Sequence, residues 1–387
     1  MRVIISILLI LAAANCFAQK VYYELDMKMD GTHKLYTDEI TNIWGFSFRA
    51  KEGEIPLTLP SPTLTATEGD TVVVMVVNPS NEGHTIHWHG LDVDQANDGV
   101  PHTSQYVLHG DTFTYRFIAP HAGNYIYHCH VTTTLHLMMG MYGSFMVYPK
   151  QGNNFLYENG PSYEKDYAFL GSELDKSWTD DFKEGGALNE FSPTHFLLNG
   201  LEKNQLFDDS TQIIQLEKGK RVGLRLLNIG FSIHRYTFPS DVTALVYTSD
   251  GRKLPKPILV NTLELYPGER YGIILSSSKN VTDYIEVDYL DMYNKAQQSR
   301  NYIGINSENF PLLSSEKLFE PKPFISPNPA SDFIRLNELP SNNVMIYDSK
   351  GKLVDEVSPQ INIDVSRLKS GLYFLWVDGQ KLPFVKS

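Results

Sequence analysis

Cysteine is almost absent from this sequence of 387 residues, which contains only Cys16 and Cys129. Cys16 sits in an N-terminal segment with the features of a removable leader. A chain without that segment keeps one cysteine and forms no internal disulfide. No stretch repeats its apolar residues with a sustained 3.6-residue period, which argues against a helical architecture. No block of like charge marks a solvating tail. Past the leader, no apolar run reaches membrane-spanning length, so no membrane span is expected. Basic residues are in deficit, 33 Lys and Arg against 45 Asp and Glu, for a net charge of −12. That balance argues against nucleic acid or an anionic membrane surface as a partner.

What is present is β-forming. The leader has Arg2 in a positive first region, an apolar run from Val3 to Ala14, and Cys16-Phe17-Ala18 before a cleavage point. It reads as a secretory signal peptide over residues 1–18. Residues 19–150 alternate turns with short strands: Glu68-Gly69-Asp70 before Thr71 to Val77, Gly110-Asp111 before Thr112 to Phe117, and Gly123-Asn124 before Tyr125 to Val131. Such spacing predicts a β-sandwich. Residues 151–318 are expected to form a second domain. Within it, 151–190 reads as an acidic linker with one short helix, and the β style returns over 191–310. The order Gly69, Asn78, His84 recurs as Gly219, Asn228, His234, a weak internal repeat that suggests two related sandwiches. Residues 319–387 read as a proline-rich linker (Phe319 to Pro329) followed by a small β module with a hairpin turn at Asp348 to Gly351. The expected fold class is therefore all-β: two Greek-key β-sandwiches and a small C-terminal β-sandwich module.

Histidine is concentrated in one region. Nine of the twelve histidines lie between residues 84 and 136. Two clusters carry the pattern, His84-Thr85-Ile86-His87-Trp88-His89 and His128-Cys129-His130, and His136 and Met141 follow the second. Side chains alternate between faces along a strand. If both clusters are extended, His87, His89, His128 and His130 line one face, and His84 and Cys129 point the other way. Two imidazoles, a thiolate and a distant thioether form a mononuclear copper site, and His136 and Met141 complete that set. The opposite face, lined only by imidazoles, suits copper used for oxygen chemistry. Other readings are available for each part alone. A buried cysteine is often a small hydrophobe, and an HxH pair can bind zinc. Six imidazoles on two faces exceed what one tetrahedral zinc site uses.

At these residues the chain resembles the multicopper oxidases, which are built from cupredoxin domains. The matching stretches are HTIHWHGLDVDQANDGVP, GDTFTYRF, AGNYIYHCH and HLMMGMYG, within roughly residues 45–310. The resemblance implies type 1 copper at His84, Cys129, His136 and Met141. It implies half of a type 2/type 3 copper cluster at His87, His89, His128 and His130. Asp98 matches an acidic residue that assists proton delivery to oxygen. The implied activity is one-electron oxidation of a small-molecule or metal-ion reductant, with reduction of O2.

Two departures stand out. The histidine after the cysteine is seven residues away, where most laccases have five. More important, the second domain keeps only His234 of a second HxxHxH motif, and no histidine occurs in DYIEVDYLDMYNK, where a second HCH would fall. One chain therefore cannot complete a trinuclear cluster, and a homo-oligomer that pairs two first domains is expected to supply the rest. The rival readings are an electron-transfer or copper-binding cupredoxin without oxidase activity and an enzyme similar to copper nitrite reductase. His102, His109 and His121 match no family ligand. The segments SPNPASDFIRL, VMIYDSKGKLV and IDVSRLKSGLYFLWV resemble the C-terminal sorting domain of the type IX secretion system. That implies the type IX machinery as a partner and a secreted or cell-surface location.

Overall fold

The computed structural model describes residues 19–180, 191–307, 325–326, 329–336, 339–377 and 380–387. The expected signal peptide, residues 1–18, lies outside the described residues, as does most of the proline-rich linker.

The first sandwich contains eight strands: β1 (Lys20–Lys34), β2 (Ile40–Phe48), β3 (Ser61–Thr67), β4 (Thr71–Val77), β5 (His87–His89), β6 (Thr112–Ile118), β7 (Gly123–His128) and β8 (Tyr142–Tyr148). One sheet runs β2-β1-β4-β6 and the other β3-β8-β7-β5. Strand β4 is nearly all β-branched and is paired on both sides, in parallel with β1 and antiparallel with β6. That is the setting in which such residues pack best. Its entry turn is closed by Asp70, whose N–H donates to the Thr67 carbonyl (2.9 Å) and whose carboxylate accepts from the Thr67 N–H (2.8 Å).

Trp88 anchors β5. It is fully buried, and its ring packs 4.9–6.0 Å from those of Tyr115, Phe117, Tyr127 and Phe145. A strand of only three residues has little ladder energy of its own, so this aromatic insertion fixes it. Because side chains alternate, burying Trp88 turns both His87 and His89 to the opposite face.

The second sandwich has a six-stranded sheet, in the order His195–Leu198, Lys165–Leu174, Arg221–Asn228, Arg270–Ser276, Thr243–Ser249, Arg252–Val260. It also has a five-stranded sheet, in the order Ile214–Gln215, Gln297–Asn306, Thr282–Leu290, Ile233–Thr237, Thr262–Leu265. Phe169, Leu224 and Ile273 of the first sheet share a core with Tyr236, Ile285 and Ile303 of the second. Residues 151–190 are not simply a linker. The helix Lys176–Asp180 lies there, but Lys165–Leu174 is a ten-residue strand whose last six residues are buried. Its charged and glycine residues masked the alternation.

The internal repeat is structural. The Asn78 amide donates to the carbonyls of Glu82 (2.6 Å) and Val107 (2.8 Å), and the Asn228 amide donates to those of Ser232 and Leu265 (2.9 Å each). In both loops the asparagine oxygen accepts a main-chain N–H two residues on, from Ser80 (3.0 Å) and Gly230 (2.8 Å). The two sandwiches meet at β7, where the Asn124 amide donates to the carbonyls of Leu226 and Tyr271 (3.2 Å each).

The C-terminal module packs a three-stranded and a four-stranded sheet around Ile334, Leu336, Val344, Ile346, Leu375 and Phe384. Its hairpin at Asp348 closes through the Gly351 N–H to the Asp348 carbonyl (2.9 Å). Among the described residues, no helix is long and apolar enough to cross a membrane.

Candidate metal centre

Strands β5 and β7 pair antiparallel with His87 opposite His128, Trp88 opposite Tyr127 and His89 opposite Ile126. The extended geometry is shorter than the sequence pattern suggested. Strand β5 begins at His87, and His84 is held instead by a bridge to Val107, with N–H to carbonyl distances of 3.0 Å in both directions. Strand β7 ends at His128, and the Cys129 N–H then donates to the Met141 carbonyl (3.0 Å). The separation of the two faces survives this shortening.

On one side, Cys129 Sγ lies 3.1 Å from His136 Nδ1 and 3.7 Å from His84 Nδ1. All three residues are fully buried. His136 is delivered by a helix that the sequence reading missed, α1 (Thr133–Met138). Its threonines are poor helix formers, which hid it. The helix is entered through Thr132, whose φ is 40°. Met141 is buried, and its N–H donates to the His136 carbonyl (2.9 Å). Of the outer nitrogens, His84 Nε2 lies 2.9 Å from Ser80 Oγ, whereas His136 Nε2 is buried without a hydrogen-bond partner among the described residues and has a Glu82 carboxylate oxygen 3.4 Å away. Neither Ser80 nor Glu82 was singled out from sequence, since each reads as an ordinary loop residue. His109 Nδ1 donates to the Ser80 carbonyl (2.6 Å), which places His109 at the rim of this site.

Burial shapes the titration here. It pushes the Cys129 thiol up to about 12. It lowers His84 to about 3, assisted by the neighbouring His136, and His136 itself to about 4. The ligand nitrogens are therefore neutral and ready to bind, while the thiol must lose its proton on metal binding.

On the other side, the ring of His87 is 5.2 Å from those of both His128 and His130, and His89 is 5.8 Å from His128. Burial lowers His128 to about 3. Burial, with the Arg270 charge adding to it, lowers His89 to about 4. His87 Nδ1 donates to the Asp98 carbonyl (2.8 Å), and His128 Nδ1 donates to the Cys129 carbonyl (2.9 Å). Each leaves Nε2 free to bind a metal. The Asp98 carboxylate lies 3.3 Å from His87 Nδ1. This approach requires Gly99, which has φ of +77° and on which a Cβ would sit 1.8 Å from the Ile86 carbonyl oxygen.

The donor sets test the metal. His84, Cys129 and His136 present ligand atoms within 4.8 Å of one another, and so do His87, His89 and His128. A thiolate with two imidazoles suits copper in both redox states. Residues 55–152 match a family model described as multicopper oxidase, and residues 163–308 match a second with the same description.

The chain belongs to the multicopper oxidase family.

Copper is the cofactor of that family, and the two histidine-containing sets fit it. Laccase-9 of Arabidopsis thaliana is 27% identical over 252 residues, covering 60% of this chain and 40% of that protein. L-ascorbate oxidase of Cucumis sativus is 26% identical over 295 residues, covering 67% of this chain and 47% of that protein. This multicopper oxidase chain thus spans less than half the length of these relatives. The crystal structure of a blue copper oxidase from Nitrosomonas europaea superposes with a TM-score of 0.62 at 28% identity, covering 78% of this chain and 92% of that one. The fold is accordingly the cupredoxin sandwich, used twice. Residues 325–387 match a secretion system C-terminal sorting domain.

Of the remaining histidines, His121 Nε2 lies 3.4 Å from Asp92, His33 Nε2 donates to the Gly200 carbonyl (2.8 Å), and His195 Nδ1 is 2.6 Å from Glu202. His234, the second-domain counterpart of His84, has Nε2 bonded to Glu173 (2.7 Å), and both side chains are wholly buried.

Proposed function

We propose that the chain is an exported copper-dependent oxidoreductase. In this reading it takes electrons one at a time from a small reductant, phenolic or a low-valent metal ion, and delivers them to O2. Copper, when bound, supplies the one-electron and oxygen chemistry. The observation that carries the reading is the back-to-back placement of the two sets. Cys129 faces His84 and His136, while its covalent neighbours His128 and His130 sit with His87 on the other face. The main chain of three consecutive residues links the sets, which is what single-electron delivery from one to the other requires.

The roles of the residues follow from position. His84, Cys129, His136 and Met141 would hold type 1 copper. His87, His89, His128 and His130 would hold half of a type 2/type 3 cluster, with His87 and His128 kept in the binding tautomer by main-chain carbonyls. Asp98, beside His87, is the group placed to pass a proton toward the oxygen site. The engagement of His234 with Glu173 supports completion of the cluster outside the second domain. A second copy pairing its first domain with this one supplies eight imidazoles. The leader at 1–18 and the sorting tail support export through the type IX machinery, followed by release or retention at the surface.

Oxygen uptake by copper-loaded protein, with a phenolic donor and separately with a ferrous donor, tests the reading alongside light-scattering mass. A dimer or higher oligomer that consumes oxygen is expected. One copper per chain with no oxygen uptake would instead support the electron-carrier reading, which the lack of a second imidazole set in the second domain favours.

A further inference from the structure

We infer that Ser80 is a positioning residue for His84: its hydroxyl oxygen holds the ring proton at Nε2 and so leaves Nδ1 to bind metal. The inference deepens the proposed function, because it rests on His84 being a metal ligand.

The hydrogen-bond chain starts at Asn78, which follows β4 and is wholly buried. Its amide nitrogen lies 2.6 Å from the Glu82 carbonyl oxygen and 2.8 Å from that of Val107. Both partners only accept, so the amide cannot be turned over, and Oδ1 faces the other way. There it accepts from the Ser80 N–H (3.0 Å) and from the Ser80 hydroxyl (2.6 Å). Asn78 Oδ1 has no proton of its own, and an oxygen pair that close holds a proton between them. A hydroxyl has only one proton. Its other neighbour, the Glu82 carbonyl at 3.2 Å, is again an acceptor. Toward His84 Nε2, 2.9 Å away, the Ser80 oxygen therefore presents a lone pair. The ring must donate there. Nε2 carries the proton, and Nδ1 keeps its lone pair on the side of Cys129 Sγ, 3.7 Å away. The loop is tied down from outside as well: His109 Nδ1 donates to the Ser80 carbonyl (2.6 Å), and the Gly110 N–H donates to that of Asn78 (2.7 Å).

The second sandwich repeats this loop with one change. Asn228 holds the carbonyls of Ser232 and Leu265 as Asn78 holds those of Glu82 and Val107, but Gly230 stands in the place of Ser80. A Cβ on Gly230 would lie 2.0 Å from Glu173 Oε2, so a carboxylate fills the space beside that residue. Glu173 Oε1 holds His234 Nε2 (2.7 Å), and His234 Nδ1 is buried with no hydrogen-bond partner among the described residues. The same end of the ring is held in both sandwiches. A neutral hydroxyl holds it where a cysteine and a second histidine converge, and a carboxylate holds it in the sandwich that lacks them. The hydroxyl orients the ring without adding negative charge beside a site that already takes a thiolate.

The experiment compares wild type, S80A and S80T. S80A keeps the main-chain N–H that bonds Asn78, and S80T keeps the hydroxyl. In the copper-free proteins, long-range 15N–1H spectra of the imidazoles report the His84 tautomer. In copper titrations, the blue absorption and its EPR signal report the first site, and the non-blue EPR signal reports the imidazole set on the other face. Wild type should show the Nε2–H form alone. S80A should show a mixture of tautomers, blue copper bound roughly tenfold to a hundredfold more weakly, and altered blue hyperfine splitting, with non-blue copper unchanged. S80T should restore the wild-type tautomer and affinity. An Nδ1–H form in wild type would overturn the inference, and so would wild-type tautomer and copper affinity in S80A. Equal weakening of both kinds of copper in S80A, or an S80T protein no better than S80A, would also overturn it, since either marks a packing role. If wild type forms no blue copper, the oxidase reading fails, and the tautomers of the copper-free proteins decide the role of Ser80 by themselves.

Discussion

His87 stands directly opposite His128 across the β5–β7 ladder, while the residue after His128, Cys129, turns its sulfur to His84 and His136 on the far side. One strand end thus serves two sites. A change confined to the sulfur should disable one and leave the other in place.

Cys129→Ser removes the soft ligand and nearly preserves volume. The blue absorption should vanish and substrate oxidation should fall to background, while copper bound to the imidazole set remains. Optical and EPR spectra with copper analysis check this. Loss of both kinds of copper would show that the sites are not separable.

Asp98→Asn keeps the turn and the main-chain carbonyl that orients His87, and alters only the carboxylate. Copper content and blue absorption should match wild type, and oxygen reduction should slow by about 10²–10⁴, the usual contribution of a placed acid or base. Steady-state oxygen consumption is the measurement. An unchanged rate would reduce Asp98 to a turn residue.

Copper-free protein should lose stability as pH falls. Burial holds His84 and His128 at about 3, and His89 and His136 at about 4, against an ordinary 6.5. Between these values the unfolded chain binds protons that the native chain does not, so native stability declines as pH drops from about 6.5 toward 3. Melting temperatures at stepped pH should fall through that window. Added copper should oppose the fall by binding only the native state. A copper-free melting temperature that is flat down to pH 4 would contradict the assignment of neutral buried imidazoles.

Much of the site was legible because its chemistry is local. HxxHxH, HCH and the later His and Met name eight candidate ligands without reference to the fold, and the structure brings Cys129 to His84 and His136 on one face and His87 to His128 and His130 on the other even though β5 spans only three residues. The helix that carries His136 was not legible, because a run of threonines gives no helical signal. The strand Lys165–Leu174 was hidden for a similar reason: its pairing is decided by neighbours far away in sequence, Arg221–Asn228 and His195–Leu198. Ser80 and Glu82 carry no motif and matter only through where the loop places them.

The sequence by itself determined the donor types, their alternation and the lack of a second imidazole set in the second domain, because these depend on residue identity and on spacings of a few residues. Tertiary structure decided which outer groups surround the rings, Ser80, the Glu82 carboxylate, the Asp98 carbonyl and the Gly268 turn, because those contacts join segments from 4 to about 180 residues apart. Only the packing of one sandwich on the other brings the most distant of them, Gly268, against the His89 ring.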